Sequence, residues 1–144
     1  DWQGSDDGKS MSDGYWTLRV DGGNITGNIG ESAMILDLAK PISDGRSITY
    51  IGMSVFKDSP WLEEVELPAS LTKLDHYVFQ DSKRLRSVDF GEESELFELG
   101  SAVFSGCSAL TTAVSDLIPL LKLSKKKMKA KKIMKKKIMK IFQK

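Results

Sequence analysis

A block of residues recurs three times at a nearly fixed interval, and this limits the fold more than any other feature of the 144-residue chain. Val55 and Phe56 return as Val78 and Phe79, then as Val103 and Phe104, at steps of 23 and 25 residues. Leu62, Leu85 and Leu110 keep the same register, as do Ile48, Leu71 and Leu96, and Ile51, Leu74 and Leu99. A unit of this size cannot bury its apolar side alone, so its copies must stack into a solenoid. Such arrays bind partners along an extended face and seldom carry catalytic groups, which points to a non-enzymatic protein–protein interaction module.

Within each copy the pattern divides in two. Leu62-x-x-Val65-x-Leu67 and Leu85-x-x-Val88-x-Phe90 share one form, and Ala33, Leu36 and Leu38 fit it in a first copy with a longer connector through Pro41, Asp44 and Gly45. Alternation around Val65 and Leu67 predicts a short strand with its apolar residues inward, and successive strands would stack in parallel. Glu64 and Glu66, then Ser87 and Asp89, would face outward, with Glu63 and Arg86 beside them. Glu64, Glu66, Arg86, Ser87 and Asp89 are therefore the candidate partner-binding residues; exposed acids also serve solubility. Pro68 leaves the strand in a turn. Leu71, Leu74, Val78 and Phe79 would line the rear of the coil in irregular, β or short helical segments. Phe56, Phe79 and Phe104 would form a spine there, each burial contributing ~1.5–3 kcal/mol.

Composition shifts mark three regions: a lead-in and N-terminal cap over 1–32, the repeats over 33–114, and a Lys-rich tail over 115–144. Residues 1–14 are rich in Gly, Ser and Asp and predict a mobile lead-in. Leu18, Val20, Ile25 and Ile29, set among Gly22, Gly23, Gly27 and Gly30, predict short strands joined by tight turns that cover the end of the array. The formal net charge of +1 conceals a division. From residue 122 onward there are twelve Lys and no Asp or Glu, whereas residues 1–121 hold nine basic and 20 acidic side chains, a net of −11. In the tail Leu123, Ala130, Ile133, Met134, Ile138, Ile141 and Phe142 share one face of a helical wheel. A basic helix of this kind can lie on an anionic membrane or dock in an acidic groove. Nucleic acid is the weaker option, since the tail has no Arg and one aromatic. Lys, Ile and Met are also what A-rich codons encode, so a frame-shifted or degenerate end is the alternative.

The segment Leu-Thr-Lys-Leu-Asp-His-Tyr-Val-Phe-Gln-Asp-Ser-Lys-Arg-Leu-Arg-Ser-Val-Asp-Phe, residues 71–90, resembles the BspA-like, or treponemal-type, leucine-rich repeats. The third copy, Glu95 to Thr112, resembles them more closely still, with Cys107 where the family often carries a small residue or Cys and where the earlier copies have Ser59 and Ser82. The resemblance covers about residues 33–112; beyond Leu110 the pattern meets Ala113 and Ser115 and stops. It implies a right-handed leucine-rich-repeat solenoid, exported or on the cell surface, that mediates adhesion or other protein contacts. It implies no enzyme activity, no catalytic residues and no cofactor.

The residues themselves offer little chemistry. His76, the single histidine, aligns with Met53 and Ser101 at a turn and reads as an ordinary exposed residue. Cys107 and His76 fall at non-equivalent positions of different repeats, so a nucleophile–base pair is not expected. One cysteine permits no internal disulfide, and no zinc or calcium spacing is present. The glycines lack the Lys-Ser/Thr of a phosphate loop. Asn24-Ile25-Thr26 is a glycosylation sequon in a host that uses one. No signal peptide and no apolar run of membrane-spanning length is present; the chain opens at Asp1 rather than Met, as a mature or trimmed form would, so export is compatible with the sequence but not shown by it.

Overall fold

The computed structural model describes residues 1–30 and 33–110. Its regular elements are all strands, and they form two sheets. Four antiparallel strands come first: β1 (Gln3–Gly4), β2 (Ser10–Ser12), β3 (Thr17–Asp21) and β4 (Asn24–Gly30). β4 then pairs in parallel with β6 (Tyr50–Ile51), which pairs with β8 (Lys73–Leu74), which pairs with β10 (Glu98–Leu99). The second sheet is a parallel ladder of β5 (Ile35–Asp37), β7 (Glu64–Glu66) and β9 (Ser87–Asp89). The repeat period thus appears twice, as a front ladder of three strands and a rear ladder whose members are two residues long. The rear segments are strands and turns; the basic helix predicted for the tail lies outside the described residues.

Alternation decides what each ladder buries. Leu36, Val65 and Val88 stand in register on the front strands, and Ile51, Leu74 and Leu99 on the rear ones; all six are buried. The Leu62, Leu85 and Leu110 row and the Ile48, Leu71 and Leu96 row are buried in the same core. The phenylalanines form the expected spine. Phe79 stacks on Phe56 at 5.6 Å and 11° and on Phe104 at 5.7 Å and 2°, with Trp16 edge-on to Phe56 at 5.7 Å.

A polar row runs beside this spine. Ser59 Oγ and Ser82 Oγ both donate to the Phe56 carbonyl, at 2.7 and 3.0 Å, and Ser82 Oγ also accepts the Ser59 N–H at 3.3 Å. Cys107 Sγ donates to the Phe79 carbonyl at 3.0 Å, one repeat on. A small side chain with a donor is needed there because the tight turn leaves a buried carbonyl pointing into the stack. Ser82→Ala should therefore cost about 1–3 kcal/mol by leaving the Ser59 N–H unpaired. Urea denaturation would test this; a loss below a few tenths would show the row to be incidental.

The turns repeat too. Ser54, Tyr77 and Ala102 share a left-handed backbone, with φ of 61°, 63° and 54°, and so do Asp58, Asp81 and Gly106, at 55°, 59° and 76°. Inter-repeat bonds such as Phe56 N–H to Val78 O and Phe79 N–H to Val103 O, both 2.9 Å, hold successive turns to one shape. The stack therefore sustains a conformation that costs a non-glycine residue about 1–2 kcal/mol. At Gly106 there is a second reason for glycine, since a Cβ would meet Asp81 Oδ1 at 2.0 Å.

The N-terminal reading needs correction. Residues 1–14 are not a mobile lead-in: they contain β1 and β2, and Trp2 and Met11 are buried. Their Gly, Ser and Asp content serves the hairpin turn, where Asp7 accepts from Ser5 Oγ and the Lys9 N–H and Gly8 takes φ 72°. Trp2 anchors the segment by bridging to Ile42. The β3–β4 hairpin does form, but its register shifts between Arg19 and Val20 and again between Thr17 and Leu18. Ile25 then pairs with Val20 in the core, Asn28 pairs with Leu18, and Ile29 is left exposed.

Candidate interaction surface

The front ladder positions the candidate residues by strand register. Ile35, Glu64 and Ser87 form one cross-strand row, and Asp37, Glu66 and Asp89 form the next but one. Neighbouring strands lie about 4.8 Å apart, so each carboxylate of the second row sits beside another. The intervening row, Leu36, Val65 and Val88, points into the core, which is why the outward groups share one face.

The charges on this face are unevenly balanced. Arg86 lies between Glu63 and Glu64, with Nε 3.5 Å from Glu63 Oε1 and Nη2 3.4 Å from Glu64 Oε1. Glu66 instead stands between Asp37 and Asp89; although exposed, its carboxyl is raised above the ordinary glutamate range by partial desolvation, followed by those two negative neighbours. A raised folded value contributes stability that is full at low pH and disappears as pH rises through it. Glu66→Gln should therefore stabilise the protein at neutral pH by about 0.2–1 kcal/mol, the scale of a like-charge cross-strand pair in contact with solvent. The gain should vanish below about pH 4. Thermal melts at the two pH values measure it, and a gain that persists in acid would remove the electrostatic explanation.

Glu64, Glu66, Arg86, Ser87 and Asp89 are thus gathered on one surface. Three further features of it escaped the sequence reading. Asp37 and Ile35 extend the rows by one strand; the alignment of Leu36 and Leu38 with Val65 and Leu67 carried the signal. The Arg84 guanidinium lies 5.1 Å from the ring centre of Trp61, which is half exposed at the rim. At the open side of β5 the Trp16 and Trp2 indole N–H groups donate to the carbonyls of Ile35 and Asp37, both at 2.8 Å. Those carbonyls would otherwise face an unpaired strand edge.

Beside that edge is an open groove of about 460 Å³ lined by Asp13, Tyr15, Met34, Ile35, Asp37 and Lys40. Elsewhere the reactive side chains are committed to structure. His76 Nδ1 accepts the Ser101 N–H at 2.7 Å, and the buried Cys107 thiol bonds to Phe79 as described. Among the described residues no group of three or more His, Cys, Asp or Glu is placed to hold a metal ion, and no helix is long and apolar enough to cross a membrane.

A family model described as "BspA type Leucine rich repeat region (6 copies)" matches residues 35–119, more than half of the chain. The chain belongs to this family. The match begins at the first residue of β5 and takes in both parallel ladders of the repeats. Neither the curated proteins nor the solved structures gave a match. Membership of a BspA-type repeat family points to a protein–protein interaction module, and it agrees with a fold in which the period is spent on core packing.

Proposed function

We propose that this BspA-type repeat protein is a non-enzymatic interaction module, exported or held at a cell surface, that contacts a basic partner protein through the front ladder. The observation that carries the reading is the row of Asp37, Glu66 and Asp89 in strand register, of which Glu66 and Asp89 are exposed and Asp37 is half-buried, with the Glu64, Arg86 and Ser87 surface beside it. Directly opposed like charges destabilise a sheet, and a basic partner that neutralised the row would relieve that cost. The repeats wind as a right-handed solenoid in this proposal, consistent with the strong preference for right-handed crossovers between parallel strands. Trp61 and Arg84 at the rim are the residue types that most often anchor a protein interface.

Charge reversal tests the reading. Pull-down from candidate extracellular proteins with the full chain should recover a basic partner. Glu64→Lys with Glu66→Lys should slow its association and flatten the dependence of the rate on salt. A partner that binds the double variant with unaltered rate and salt dependence would place the interface elsewhere.

A further inference from the structure

The groove beside β5 differs in character from the acidic row. Its floor is apolar and open: Tyr15 is 70% exposed, Met34 54% and Ile35 53%. Two carboxylates, Asp13 and Asp37, and one amine, Lys40, stand around it. Asp13 is fixed in place, because its Oδ1 accepts the Tyr15 and Trp16 N–H groups at 2.9 and 2.7 Å. Asp37 is held likewise by the Ala39 N–H at 3.0 Å. The indole caps on the Ile35 and Asp37 carbonyls oppose pairing of an added strand there, so an occupant would use side chains. The chemistry that fits is a cationic segment with aliphatic side chains between its charges. Residues 122–144 of this same chain have that composition, with twelve Lys, no acid, and Leu, Ile, Met and Phe interspersed.

We propose that the groove formed by Asp13, Tyr15, Met34, Ile35 and Asp37 is the docking site of the chain's own segment 122–144, folded back within the same molecule. Charge favours it, since residues 1–121 carry a net of −11 and the segment supplies the opposite sign. Reach permits it. Eleven residues separate Leu110 from Lys122, enough to span about 40 Å when extended. Leu110 belongs to the repeat after β9 and so lies about three strand spacings from β5, about 14 Å. A segment tethered so closely has an effective concentration in the millimolar range, which favours the same molecule over a second copy at micromolar protein. The proposal shares Ile35 and Asp37 with the front-ladder rows but differs from the basic-partner reading in needing Asp13 and the apolar floor and not Glu64, Glu66 or Ser87.

Carbodiimide coupling of the dilute full chain, read by peptide mass spectrometry, tests it by joining a lysine amine to a carboxylate in contact with it. The expected result is amide links from lysines of 122–144 to Asp13 or Asp37 in the monomer. These should fall at least about fivefold in high salt. They should fall by a similar factor in the Met34→Asn, Ile35→Asn double variant, where the apolar contribution is lost. Both substituted side chains are more than half exposed, and an unchanged melting curve would confirm that the variant folds. Links spread evenly over the body's carboxylates, links confined to covalent dimers, or links that survive the double variant would each overturn the proposal.

Discussion

Phe79→Ala is expected to lower the stability of the protein by about 3–5 kcal/mol. Its ring is fully buried and stacks on Phe56 on one side and Phe104 on the other. Truncation removes both contacts and leaves a void that rigid backbone ladders cannot close, because the Phe79 N–H remains tied to Val103 O at 2.9 Å. In a stacked array stability is approximately a sum of units and nearest-neighbour interfaces, so a central ring weakens two interfaces at once. Phe104→Ala should cost less, since Phe104 meets only Phe79 among the described aromatic rings. The whole fold has only about 5–15 kcal/mol to lose, so Phe79→Ala should melt far below the parent, with the Phe104 variant between. Equal melting of all three proteins would contradict the stacked-repeat account of the core.

The ladders and spine were legible because packing repeats with the sequence. Positions such as Val55, Val78 and Val103 are buried in each copy, so the period shows without any knowledge of turns. The outward acids followed from alternation about Val65 and Val88. Asp37 was missed because the first copy is set apart: 29 residues separate Ile35 from its partner Glu64, against 23 from Glu64 to Ser87. The left-handed turns could not be read either. Ser54, Tyr77 and Ala102 share no residue type that signals positive φ; the Ser54 and Tyr77 N–H groups bond to His76 O and Ser101 O of the next repeat, a constraint that no residue type announces. Asn28 and Ile29 show the same limit within a hairpin, where a register shift moves Ile29 out of the alternation. Polar, glycine-rich composition at residues 1–14 suggested mobility, but two large rings, at Trp2 and Trp16, tie that end of the chain to the first repeat.

Trp2→Ala tests that last point, with an expected loss of about 3–5 kcal/mol. Nothing about a mobile terminus would give such an effect. Trp2 is completely buried, its N–H and C=O bond to Pro41 O at 3.0 Å and the Ser43 N–H at 2.8 Å, and its indole N–H caps Asp37 O. The substitution would open a cavity at the end of the core and expose the β5 edge together. Trp2→Phe separates the two effects: it keeps most of the apolar volume but removes the indole donor, and should cost about 1–3 kcal/mol. The paired variant at Trp16 should behave alike, with an added loss for its edge-on contact to Phe56 at 5.7 Å. Hydrogen exchange would locate the damage, since a broken cap should speed exchange in β1 and β5 before it reaches β9. Stability unchanged in Trp2→Ala would return residues 1–14 to the status of a dispensable lead-in and leave Trp16 alone to close the array.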